Sequence, residues 1–345
     1  MCRKFLGLAL RTRSYFVNPD LRLKLETNGV VENGSKQVTS DASQPLVSIC
    51  IPTFNSVAYL KGAIASALGQ SYLNIEVLVF DNASADETEI VVREIVERDR
   101  RVLYVRHSEN VGMVQNFNAC INRASGKYLK FICSDDEITS NCIFEMVNVL
   151  ESNPQVTLVG CHRNFVDHEM NWVGHGGYFK NNVRVDGVVA IKRCFFFGNT
   201  IGEPSAVMFR KSLALRGFSE HYPQLMDLEM WFYLLNEGQF EFLSRPLCSV
   251  RRHVNQVTNL NLKSGAVLED KRRLFRQFAN DVGSRASIIE LAVWDIRMAI
   301  TIKRTINAGC KVNLKLMKEV FSPIIFFWIW RPLVSLVSPF LLQDD

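Results

Sequence analysis

The segment KYLKFICSDDE, Lys127 to Glu137, drives an apolar run into three successive carboxylates, Asp135, Asp136 and Glu137. Like charges at one point repel, so a cation or water must sit among them. Adjacent hard oxygen donors after a strand can hold a divalent cation. Mg2+ or Mn2+ suits them when phosphate oxygens complete the shell. Acids at the positive end of a helix dipole are the plainer alternative. Asp81 closes a second apolar run, in VLVFDNASADET. A carboxylate there can accept from a ribose hydroxyl or a base N–H, and DNAS is equally good turn chemistry. Asp227, in QLMDLEMWF, starts an amphipathic segment; it reads as a general base at a crevice or as an N-cap. Glu203 precedes a proline and is therefore extended. Arg251, Arg252 and His253 form a basic cluster, suited to a diphosphate or to a solvated edge.

The elements that must position these groups alternate. Pattern and composition predict strands over 46–52, 75–81, 101–107, 127–134 and 156–165. They predict helices over 57–70, 86–99, 112–125 and 141–153, the second with Asp86 as N-cap. Near-continuous apolar strands between helices argue for a parallel sheet covered on both faces. Ligands of such sheets gather beyond the carboxyl ends of the strands. Those ends carry Pro52-Thr53-Phe54-Asn55, Asp81-Asn82, His107-Ser108-Glu109-Asn110 and Ser134-Asp135-Asp136, which should converge on one crevice. Glu137 is expected to start the turn that follows. After about residue 166 the rhythm changes. A hairpin or loop with paired glycines comes first, then a helix over 186–199 and a short strand over 205–211. A helix over 226–238, closed by Gly238, and a strand over 240–253 follow.

The chain of 345 residues is 48% apolar, enough for one large domain or two modest ones. Its net charge of +5 is mild, and its cations are not packed into an aromatic-studded stretch, so it does not read as a nucleic-acid binder. Nine scattered cysteines without a CxxC pair read as a reduced, cytosolic-side protein without structural zinc. Residues 1–44 read as a partly disordered extension, whose apolar patch is too short for a signal peptide or spanning helix. Residues 263–345 read as a basic helical tail ending in VFSPIIFFWIWRPLVSLVSPFLL (320–342). Pro323, Arg331 and Pro332 interrupt that stretch, and a central Arg costs about 2.5–3.5 kcal/mol on insertion. It is therefore expected to bind a membrane surface, or else to pack on the protein.

Five spaced blocks, in order, resemble family 2 glycosyltransferases of the GT-A fold. The first is PLVSICIPTFNSVAYLKGAIASALGQSYLNIEVLVFDNASADET; the second is NVGMVQNFNACINRASGKYLKFICSDDEI. GEPSAVMFRK, MDLEMWFYLLNEG and SVRRHVNQVT resemble later blocks of a bacterial branch. The resemblance covers about residues 45–260 and implies a GT-A domain over 45–262, an α/β three-layer sandwich with a mostly parallel central sheet. It implies an inverting transfer from a UDP-, GDP- or dTDP-sugar to a saccharide or lipid-linked acceptor in bacterial surface polysaccharide synthesis. Such a protein would work peripherally at the cytoplasmic face of the inner membrane. Residue by residue, Pro52, Thr53 and Asn55 would line the nucleotide pocket, and Asp81 would bind base or ribose. Asn116 would lie near the donor, and Asp135 would contact ribose or sugar. Asp136 would hold Mg2+ or Mn2+, with His253 near the metal and diphosphate. Asp227 would deprotonate the acceptor. Cys133, Met226 and Asn82 depart from the family pattern, where acids are common; these departures leave donor specificity open. A nucleotidyltransferase would want a glycine-rich, arginine-bearing loop after the first strand, which PTFNSVAYL lacks. A silent nucleotide-sugar-binding or assembly protein would be expected to lack the base or metal acid.

Overall fold

The computed structural model describes residues 44–253, 266–282, 287–307 and 309. The extension before residue 44 and the apolar stretch 320–342 lie outside them. The alternation read from the sequence becomes β1 (Val47–Thr53), α1 (Val57–Leu68), β2 (Ile75–Asp81), α2 (Thr88–Arg98), β3 (Val102–Arg106), α3 (Met113–Arg123) and β4 (Tyr128–Phe131). Next come β5 (Glu137–Ile138), α4 (Cys142–Ser152), β6 (Val156–Val166), β7 (Trp172–Gly176), β8 (Val183–Asp186) and α5 (Gly187–Phe197). The last are β9 (Val207–Arg210), α6 (Met226–Asn236), β10 (Gln239–Arg251), α7 (Ala266–Val282) and α8 (Ile288–Asn307).

The sheet order is β3-β2-β1-β4-β9-β6-β10-β5, with β7 paired to β6 and β8 to β10. Strands β3, β2, β1 and β4 are mutually parallel. β9 is antiparallel to both β4 and β6, so β6 and its parallel neighbour β10 run in the direction of β4. Every residue of β1 is buried, because the sheet is covered on both faces and neither face of the strand meets water. Alternate side chains divide between two cores. Ile49, Ile51, Val77 and Val79 pack with α1, α2 and α4; Cys50, Leu78 and Phe80 pack with α3, α5, α6, α7 and α8. On α1, Leu60, Ala63, Ile64 and Ala67 form the buried stripe that helical periodicity requires.

Four local expectations change. β4 ends at Phe131 rather than at residue 134, since the Asp136 N–H turns back to the Cys133 carbonyl (2.9 Å). Glu137 does not start a turn; it opens β5, which pairs with Ser249 of β10. Asp86 is not the N-cap of α2, which Glu87 provides. Its two oxygens accept instead from Thr88 N (3.1 Å) and Val57 N (3.1 Å), tying the starts of α1 and α2 together. Gly238 is not the C-cap of α6; Glu237 is. Glycine is needed there because a Cβ would lie 2.5 Å from both the Gln155 carbonyl and the Thr157 methyl. The region read as a tail also begins inside the domain, since Leu268, Leu274, Phe278, Trp294 and Met298 belong to the same core as α5 and α6.

Candidate active site

Beyond the carboxyl ends of β1, β2 and β4 lies a cavity of about 620 Å³. Pro52, Thr53, Asn55, Asn116, Asp135, Asp136, Asp227 and His253 all line it. Convergence of the strand ends is what a sheet of this topology dictates.

The acid loop is held by residues far away in sequence. Ser205 donates to Asp136 Oδ2 (2.6 Å), and the Arg251 N–H donates to Asp136 Oδ1 (2.9 Å). Ser205 also accepts from the Cys133 N–H (2.9 Å). Each Asp136 oxygen thus has a partner from the chain, and the side chain is 3% exposed. Asp135 reaches further into the cavity, where its Oδ2 lies 2.9 Å from His253 Nε2. His253 stands beside the Tyr59 ring, with centroids 5.4 Å apart. Arg251, by contrast, turns back into the protein. Its Nε donates to the Asp135 carbonyl (2.9 Å) and its Nη1 to the His168 carbonyl (2.7 Å), with the guanidinium over Tyr59.

Ligand atoms of Cys133, Asp135 and Asp136 lie within 4.8 Å of one another. Burial, and then the nearby Asp135, push the Asp136 carboxyl up to about 8. Burial and the two aspartates also push up the Cys133 thiol. Burial and a neighbouring carboxylate both disfavour the ionised form, and a cation at the cluster would offset both. Carboxylate oxygens and an imidazole fit a hard divalent cation such as Mg2+ or Mn2+.

The opposite wall is built by the β1–α1 and β2–α2 loops. Asn55 adopts φ 48° and Ala83 φ 60°, a left-handed conformation that Asn tolerates and Ala resists. The strain is held by bonds between the loops: Asn55 N to Ser84 Oγ (2.9 Å) and Ala85 N to Asn55 Oδ1 (2.8 Å). Asn116 bridges the Phe80 carbonyl (3.0 Å) and His107 (3.1 Å). Among the described residues, the Thr53 hydroxyl has no partner although the residue is only 2% exposed. Buried hydroxyls are normally satisfied, so this one is an unmet polar group in the cavity wall.

Asp81 lies behind this wall rather than on it. Its carboxylate is 0% exposed and accepts from Ser84 N (2.9 Å), Ser84 Oγ (2.5 Å), Tyr104 Oη (2.7 Å) and Arg106 Nη1 (2.9 Å). What it touches is the loop that carries Asn82 and Ser84. Tyr104, Arg106 and Ser205, which bond Asp81 and Asp136, carry no signal in the sequence that singles them out. Arg106 meets Asp81 as its register partner across β2 and β3, a pairing visible only once the sheet is formed.

Asp227 stands on the second residue of α6, half-buried in the cavity wall, with the Leu228 N–H donating to its Oδ1 (2.8 Å). Burial pushes its carboxyl up to about 7, near the value that suits a general base at neutral pH. Glu203 shares the wall and is gripped by Arg163 and by Arg252 Nη2 (3.0 Å). Glu229 faces elsewhere, buried against Arg216 (2.9 Å).

The mixed α/β sheet, with an acid loop beyond a central strand, matches the fold of solved GT-A glycosyltransferases. The solved structure of Staphylococcus aureus TarS (residues 1–349) superposes with a TM-score of 0.59 at 16% identity, over 79% of this chain and 77% of that one. The mannosyltransferase PcManGT of Pyrobaculum calidifontis, solved with GDP-Man and Mn2+, gives a TM-score of 0.51 at 15% identity, covering 86% and 82%. Residues 48–216 match the model of glycosyl transferase family 2. An uncharacterized glycosyltransferase of Haemophilus influenzae is 25% identical over 256 residues, 71% of this chain and 78% of that protein. The matched segment, just under half of the chain, is similar to glycosyl transferase family 2, and these similarities support a glycosyltransferase. Asp227 and His253 lie beyond the matched segment.

Proposed function

We propose that this enzyme moves a sugar from a nucleoside-diphosphate donor to an acceptor hydroxyl with inversion at the anomeric carbon. The donor would be a UDP-, GDP- or dTDP-sugar, and the acceptor a saccharide or lipid-linked saccharide of a bacterial surface polysaccharide. The observation that carries this reading is that one cavity is lined both by Asp135 with His253 and, from a separate segment, by Asp227. An inverting displacement needs two such groups, one toward the leaving diphosphate and one toward the incoming hydroxyl.

Asp135 and His253 would hold Mg2+ or Mn2+, with Asp136 beside them as the anchored member of the cluster. Asp135 is taken as the leading ligand because its side chain is 22% exposed to the cavity, whereas Asp136 is buried with one chain hydrogen bond on each oxygen, which orients it and leaves each oxygen a lone pair for the cation. When bound, the cation supplies Lewis-acid stabilisation of the charge on the departing nucleoside diphosphate. Thr53, Asn55 and Asn116 form the nucleotide wall, and Asp81 fixes that wall through Ser84, Tyr104 and Arg106. Asp227 takes the acceptor proton as the new C–O bond forms. The presence of GDP-Man and Mn2+ in a structure of the same fold is consistent with this reading. The expected product carries the anomeric configuration opposite to the donor, read by proton NMR of the isolated glycoside. A retained configuration would refute single displacement.

The protein is further read as peripheral at the cytoplasmic membrane face. No described helix is long and apolar enough to cross a membrane, and the segment 320–342 carries the apolar and tryptophan residues of an interfacial binder. Removing residues 320–345 is expected to shift the protein from vesicles containing anionic lipid to the supernatant on flotation. Unchanged partitioning would instead favour packing of this segment on the protein.

A further inference from the structure

Helix α7 lies outside the matched family segment, yet it grips the chain just ahead of Asp227. Asp270, 1% exposed, uses a single oxygen, Oδ2, to accept the backbone N–H of Gln224 (2.8 Å) and of Leu225 (2.9 Å). Helical spacing brings Arg273 and Gln277 to the same side. Arg273 donates to the His221 carbonyl (2.7 Å), the Tyr222 hydroxyl donates to Gln277 Oε1 (2.5 Å), and Gln277 Nε2 reaches Glu229 Oε1 (3.4 Å). The rings of Phe278 and Phe232 meet edge-on at 5.3 Å, which seats α7 against α6.

Helix α6 needs this outside support. Its N-cap position is Leu225, which makes no side-chain cap hydrogen bond; from within the helix start, Asp227 accepts the Leu228 N–H. Leucine offers no acceptor for the orphan N–H groups of a helix start. Asp270 supplies a carboxylate from another helix, at the end of α6 where the dipole favours negative charge. Two residues after the second anchored amide stands Asp227, and both Gln224 and Asp227 line the cavity.

We propose that Asp270 is a positioning residue for sugar transfer: by fixing the backbone at Gln224 and Leu225, it sets where the Asp227 carboxylate meets the acceptor hydroxyl. The proposal rests on the reading of Asp227 as the base. The donor side of the cavity is built from other segments, the loops after β1, β2 and β4. Loss of the anchor should therefore act on the chemical step and spare nucleotide binding.

The test uses the full-length chain. Turnover is followed as nucleoside diphosphate released from whichever of UDP-glucose, UDP-N-acetylglucosamine, GDP-mannose and dTDP-rhamnose the wild type consumes fastest, with octyl glycosides as acceptors. Affinity for the corresponding nucleoside diphosphate with Mn2+ is measured by calorimetry. Asp270→Ala is expected to lower kcat by about tenfold or more while leaving that affinity within about twofold, since sub-ångström placement governs rate more than binding. Asp270→Asn, whose amide oxygen can still accept both N–H groups, is expected to recover kcat to within about threefold. Wild-type kcat in Asp270→Ala would overturn the proposal, as would a parallel loss of kcat and affinity that Asn does not rescue. If Asp270→Ala does not fold, Asp270→Glu, with its carboxylate displaced by one methylene, takes its place under the same expectations, and an unchanged kcat there would overturn the proposal. Asp227→Asn run alongside separates the two readings. Full transfer in that variant removes the base and the positioning role together. An inactive Asp227→Asn beside a fully active Asp270→Ala removes only the positioning role.

Discussion

Asp227→Asn is expected to lower sugar transfer by about 10²–10⁴-fold, the range a positioned general base contributes. That loss corresponds to about 3–5 kcal/mol of transition-state stabilisation. Asparagine keeps the shape and can still accept the Leu228 N–H, so the fold and the donor site should be unchanged. Affinity for the nucleoside diphosphate should therefore stay within about twofold, because uniform binding is not where this group acts. Wild-type Asp227 also predicts a pH dependence with a definite sign. Burial raises its carboxyl to about 7, and only the ionised form can accept a proton. The rate should therefore rise with pH through about 7 and then level, and the residual rate of the Asn variant should lack that rise. A variant with undiminished transfer would remove Asp227 from the chemistry.

Asp135→Asn is expected to produce the second large effect, on divalent-cation dependence. Asp135 and His253 are the proposed leading ligand pair (2.9 Å apart), and replacing one hard charged donor with an amide weakens a site of this kind by about 10²-fold. Turnover should drop accordingly at low Mn2+ and recover in part at high Mn2+. Asp136→Asn should act differently. Its amide can keep a bond to Arg251 or Ser205, but it removes a carboxyl that burial and Asp135 push up to about 8. The expected result is a smaller shift in Mn2+ affinity than that of Asp135→Asn, read by Mn2+ titration of turnover. Equal or reversed shifts would return the leading ligand role to Asp136.

Much of this arrangement could be read along the chain. Asp135, Asp136 and Asp227 fall at element ends, where periodicity changes, and a sheet of alternating strands and helices dictates that its carboxyl ends form the site. The division of labour between Asp135 and Asp136 could not be read. It depends on Ser205 and Arg251, which are 69 and 115 residues from Asp136 and reach it only through the β9 and β10 pairing. Asp81 presents the same difficulty. Its position after β2 suggested a ligand contact, but Tyr104 and Arg106 from β3 occupy its oxygens. The clamp of α7 on the start of α6 had no local signal, because Asp270 caps a helix other than its own. The misplaced caps at Asp86 and Gly238 have one cause. Both residues are suited to local turn chemistry but are used by neighbouring elements, a bond to Val57 in one case and a close approach to Gln155 in the other.

The central claim is that one cavity performs cation-assisted sugar transfer with Asp227 as base. Its most direct test is release of nucleoside diphosphate by the purified full-length protein from UDP-, GDP- and dTDP-sugars, with Mn2+ or with EDTA. Release is expected from at least one donor with Mn2+, lost in EDTA and lost in Asp227→Asn even with Mn2+. Release that persists undiminished in EDTA, or in Asp227→Asn, would contradict the claim.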